Sequence, residues 1–75
     1  MDNKQYILVN KTLDGTIDGY YDGPNKKYAG AFRLTAQKQF AKRFDRLDYA
    51  EARMAALNNG GWNFSIEEVA QEVAN

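Results

Sequence analysis

The sequence predicts an α+β fold: a small antiparallel sheet of three or four strands packed against one or two helices. Three observations predict it. The run Tyr6-Ile7-Leu8-Val9 is aromatic and aliphatic over strand length, and an Asp14-Gly15 pair follows it as a turn. Apolar residues recur at helical spacing through the region 36–57. Beyond Gly60-Gly61 the pattern reverts to alternation, with Trp62, Phe64 and Ile66 separated by Asn63 and Ser65.

Taken in order, Gln5 to Asn10 reads as a strand with Tyr6 and Leu8 on one face and Ile7 and Val9 on the other. Both faces are apolar, which places it centrally in the sheet. Lys11 to Gly15 is a turn, because Gly tolerates positive φ and Asp bonds nearby backbone. Thr16 to Tyr21 returns as the second strand of a hairpin, and Asp22 to Lys27, with Gly23 and Pro24, forms a loop. Tyr28 to Leu34 alternates and offers a third strand. Thr35 is placed to cap a short helix over Ala36 to Phe44, whose face carries Ala36, Phe40 and Phe44. Asp45 is placed to cap a second helix with the stripe Leu47, Ala50, Met54 and Leu57, ended by Asn58-Asn59-Gly60-Gly61. The last segment reads two ways. Aromatic alternation favours a strand from Trp62 to about Val69 with a frayed tail. Ser65-Ile66-Glu67-Glu68 also fits a capping box, and Ile66, Val69 and Val73 have helical spacing.

Residues 1–75 are expected to make one small α+β domain at most. A chain of this length buries only about 60–65% of the surface its unfolded form exposes. It contains no Cys and no His. That excludes disulfides and leaves structural zinc without its preferred ligands. Five Tyr, four Phe and one Trp must supply the core, since rings bury much area per side chain. The polar start Met1-Asp2-Asn3-Lys4-Gln5 lacks a signal-peptide pattern, and no run approaches the ~20 apolar residues of a membrane span. The expected setting is cytoplasmic, with no membrane partner.

Formal charge is zero but segregated. Residues 1–25 carry two cations and four anions, residues 26–46 seven cations and one anion, and residues 47–75 one cation and five anions. Lys38, Lys42 and Arg46 recur every four residues, with Arg43 beside them. On a helix they would form a basic ridge able to contact phosphate, or simply a solvated face. Lys26 and Lys27 would extend that ridge if their loop folded near it. Tyr20, Tyr21, Tyr28 and Phe32 are candidate rings for stacking on bases, or for packing and cross-strand pairing. Tyr20 and Tyr21 must face opposite sides of a sheet, so one of them is expected to be exposed. Trp62 reads as a core or edge anchor. Asp-Gly pairs at 14, 18 and 22 read as turn chemistry, because a calcium loop places oxygen ligands every second residue. No nucleophile, acid–base pair or phosphate-binding loop is in a recognisable motif, so no enzyme and no cofactor is expected.

The chain resembles small phage and prophage proteins of Gram-positive bacteria. The resemblance rests on the opening Tyr6-Ile7-Leu8-Val9-Asn10-Lys11, the step Ala41-Lys42-Arg43-Phe44, the helix start Asp48-Tyr49-Ala50-Glu51-Ala52 and the close Phe64-Ser65-Ile66-Glu67-Glu68-Val69. The chain departs from that pattern by a longer Asp22 to Leu34 region and by the tail after Val69. The resemblance implies a ββαβ fold, a host-cell cytoplasm and an accessory role, and it carries over no functional residues. The resulting expectation is a non-enzymatic binding module acting through a protein partner, such as a host protein. The alternatives are nucleic-acid binding through residues 38–46 and a homodimer that covers a sheet face or edge.

Overall fold

The computed structural model describes residues 4–28 and 30–70. Strands β1 (Lys4–Lys11), β2 (Ile17–Pro24) and β3 (Phe32–Thr35) are followed by a 3-10 turn (Lys38–Phe40), helix α1 (Leu47–Asn59) and strand β4 (Phe64–Ala70). The four strands form one sheet in the order β3-β2-β1-β4, every neighbouring pair antiparallel. The small α+β fold is therefore as the sequence predicts, with one helix rather than two.

β1 is central because it has two apolar faces to cover. Leu8 points into a cluster with Tyr21, Ala50, Leu57 and Phe64, under the helix. Ile7 and Val9 point the other way and pack with Ala41. All three aliphatic residues are at most 2% exposed. Rings fill the helix side: Tyr21 lies 5.8 Å from Phe32, 6.2 Å from Phe44 and 6.3 Å from Phe64, the last edge-on. The Phe32 pair is tilted, the Phe44 pair stacked and the Phe64 pair edge-on, and edge-on and offset-stacked arrangements are the favoured aromatic geometries.

β2 runs three residues beyond its predicted end. A bulge between Tyr21 and Gly23 lets it continue to Pro24, and Gly23 takes φ +110°, which only glycine adopts without strain. β3 is shorter than expected. Tyr28 lies in the preceding loop, where its carbonyl accepts the Ala31 N–H at 3.2 Å, and Ala29 lies outside the described residues.

The predicted helix over Ala36 to Phe44 does not form. Only Lys38–Phe40 makes a 3-10 turn, and Ala41 leaves it extended at φ −62°, ψ 141°. The physical reason is a fork in the sheet. β2 pairs with β1 at Val9, Asn10 and Lys11, and its residues beyond Tyr20 pair with β3 alone. The Lys42 N–H donates to the Tyr21 carbonyl at 2.8 Å, while Phe44 exchanges two hydrogen bonds with Tyr6 at 2.8 and 2.9 Å. Residues 42–44 thus fill the gap between the diverging strands. The N–H groups of Lys42 and Phe44 and the Phe44 carbonyl are satisfied by strand edges, so a helix would gain them nothing. Ala41 is buried on the Ile7–Val9 side and Phe44 packs on the helix side, so the chain crosses the sheet here.

α1 begins after Arg46, which is extended and makes no side-chain cap bond; Asp45 is not the cap. Asp48 in the first turn complements the helix dipole. Of the predicted stripe, Ala50 and Leu57 are buried and Met54 is half-buried, but Leu47 is 45% exposed. Gly61 at φ +98° ends the turn after the helix and delays β4 to Phe64, so Trp62 precedes the strand. Trp62 is 41% exposed and meets Phe32 edge-on at 5.0 Å. The strand reading of the last segment holds for 64–70; Val73 and the tail lie outside the described residues. β4 pairs with β1 over seven residues, from Lys4↔Ala70 to Asn10↔Phe64, a ladder that the capping-box alternative would forgo.

Candidate partner-binding groove

The crossing segment and α1 together make a groove of about 740 Å³. Lys42, Arg43, Phe44, Asp45 and Arg46 form one wall, and Tyr49, Ala52, Arg53 and Ala56 form the other. The second wall follows helical arithmetic, since positions 49, 52, 53 and 56 share one face. Its room comes from Ala52 and Ala56, whose methyl groups leave space beside the Phe44 ring. The first wall is held in place by the backbone bonds of Lys42 and Phe44 to β2 and β1.

Three of the six predicted contact residues therefore converge, though not on a helix. Lys42 is exposed, with its ammonium 5.8 Å from the centroid of the Phe44 ring. Arg43 is half-buried and donates to the Ala70 carbonyl at 3.2 Å. Arg46 is bound bidentately by Asp48, at 3.0 and 2.7 Å, and its guanidinium stacks 4.6 Å from the Tyr49 ring centroid. The other three residues lie apart from this groove. Lys38 pairs with Glu67 on β4, and that carboxylate raises the Lys38 pKa above its ordinary value. Lys26 and Lys27 are exposed in the loop after β2, where the Lys27 ammonium lies 5.5 Å from the Tyr28 ring centroid. The continuous basic ridge expected over 38–46 does not exist, because its first and last cations are paired with carboxylates and no helix aligns them.

The candidate stacking rings are mostly committed to packing. Tyr21 is buried, Tyr20 packs with the Ile7–Val9 cluster and Phe32 packs on Tyr21. Neither of the adjacent tyrosines is exposed, contrary to expectation; Tyr28 is, at 59%.

Asp14 is a turn residue. The Thr12 hydroxyl and then the Thr16 N–H bond its carboxylate and hold its pKa at about 2. Among the described residues no three acidic, His or Cys side chains are grouped to hold a metal ion. No described helix is long and apolar enough to cross a membrane.

Arg53, Tyr49, Ala52 and Ala56 were not among the predicted contacts. Their signal was present: Arg53 is the single cation of residues 47–75, and it shares a helix face with the other three. What the sequence could not supply was the opposite wall, because that wall depends on the fork between β1 and β2.

Comparison with protein-family models, curated proteins and solved structures finds no match to this chain.

Proposed function

We propose that this chain is a small binding module that acts through a protein partner, and that the groove between residues 42–46 and α1 is where the partner docks. One observation carries the reading: an apolar floor of Phe44, Ala52 and Ala56 lies open beside four cationic side chains. A floor of this kind favours a ligand with apolar groups to bury, and rim charges steer and orient it. The phage-like sequence steps support an accessory role in a host-cell cytoplasm, with a host protein as the partner.

The test is affinity capture from host lysate, with and without nuclease treatment, using the wild-type chain and Ala56→Trp, which fills the groove from an exposed helix position. Leu13→Ser, in the exposed β1–β2 turn, is the control. The expected result is a discrete protein retained by wild type and control and lost with Ala56→Trp. Retention by all three proteins would place the partner elsewhere. Capture that depends on nucleic acid would overturn the reading.

A further inference from the structure

The groove's charges point to the class of segment it takes. Asp45 is its single lining carboxylate, set against Lys42, Arg43, Arg46 and Arg53. The Asp45 side chain accepts a bond from the Gln5 amide at 2.6 Å, and the Arg46 guanidinium is engaged by Asp48. Neither Lys42 nor Arg53 joins an ion pair among the described residues, and both are exposed. Two cations without carboxylate partners therefore border a floor made of two alanines and a ring.

Resting on the groove as the partner site, we infer that it binds a short acidic peptide segment of the partner, in which an aromatic or aliphatic side chain is flanked by carboxylates. The apolar side chain lies over Ala52 and Ala56, and the carboxylates meet Lys42 and Arg53. Arginine offers a planar fork to a carboxylate and lysine a mobile point charge, so the pair tolerates more than one spacing. A nucleic-acid strand fits less well. Arg46 already covers one face of the Tyr49 ring, which leaves less of that ring for a base to stack on.

The experiment is fluorescence anisotropy with three labelled probes. They are the hexapeptide Glu-Glu-Phe-Leu-Glu-Glu, its counterpart with lysine for each glutamate, and a short single-stranded thymidine oligonucleotide. The expected result is binding of the acidic peptide about tenfold or more tighter than the lysine peptide, and tighter than the oligonucleotide. The double variant Lys42→Glu/Arg53→Glu, with folding verified by near-ultraviolet circular dichroism, should reverse the peptide order. Equal binding of the two peptides, no detectable binding of the acidic one, preference for the oligonucleotide, or an unchanged order in the double variant would overturn the inference. If a protein is captured in an Ala56-dependent way while the acidic peptide shows no preference, the ligand class falls and the partner reading stands. If the acidic peptide is preferred but no protein is captured, the reverse holds.

Discussion

Residues 36–44 and 47–59 carry the same kind of sequence signal and fold differently. Each places apolar side chains at helical spacing: Ala36, Phe40 and Phe44 in the first, Ala50, Met54 and Leu57 in the second. The second becomes α1 and buries Ala50 and Leu57 against β1 and β4. The first becomes a 3-10 turn and an extended crossing in which Phe40 is 56% exposed. The difference lies in what each backbone can bond. α1 lies over β1 and β4, which pair with each other over seven residues, and its own i→i−4 bonds are the available ones. The crossing segment runs beside two strand edges left open where β2 turns from β1 to β3, and those edges take its N–H and C=O groups. A period of 3.6 reports which side chains could share a face; it does not report whether a better backbone partner is nearby.

That comparison can be broken by experiment. The largest expected effect is from proline. Arg53→Pro, inside α1, should destabilise the chain by about 3 kcal/mol or more, because it removes a helical bond and clashes with the preceding turn. Lys38→Pro should cost no more than about 1 kcal/mol. Lys38 opens the 3-10 turn, Gln37 before it is extended at ψ 119°, and the side chains of the Glu67 ion pair that would be lost are only partly buried. Chemical denaturation measures both, and a cost for Lys38→Pro as large as that for Arg53→Pro would contradict the extended backbone at Gln37.

Asn58→Ala should cost about 1–3 kcal/mol. The Asn58 carboxamide accepts the Phe64 N–H at 2.7 Å and donates to the Phe64 carbonyl at 3.0 Å, closing the outer edge of β4 where α1 hands over to it. Phe40→Ala should change stability by at most about 0.5 kcal/mol, in keeping with its exposure. A larger loss would mean that the first segment buries the face its spacing suggested.

The smallest effect is confined to the β1–β2 turn and appears as a pH dependence. The folded pKa of Asp14 lies below its ordinary value of 3.8, so its contribution is present above that value and fades as pH falls toward about 2. Thermal midpoints of wild type and Asp14→Asn should differ at neutral pH and converge below about pH 2. A constant difference across that range would show that the hydrogen bonds to the carboxylate do not carry it.

Much of the fold was legible because its elements obey local rules. β1 announces itself through Ile7, Leu8 and Val9, and Asp14-Gly15 makes the hairpin turn. Asn58 to Gly61 stops the helix, and alternation at Phe64 and Ile66 marks β4. The failures are non-local. Asp45 resembles a cap, but the Gln5 side chain takes its carboxylate across forty positions of sequence. Tyr20 had to face away from Tyr21, but nothing in the sequence placed Ala41 there to help cover it. The groove was half legible, with Lys42, Arg43 and Arg46 named for a ridge that does not form, and with Arg53 visible as an isolated cation in an acidic segment.

If the proposed docking site is right, the groove and not another surface meets a protein. The direct measurement is photo-crosslinking in host cells with a benzophenone-bearing phenylalanine placed at Ala52 in one version and at Leu34, an exposed residue of β3, in another. A single protein adduct is expected from position 52 and none from position 34. An adduct from position 34 alone, or one from position 52 that proves to be nucleic acid, would contradict it.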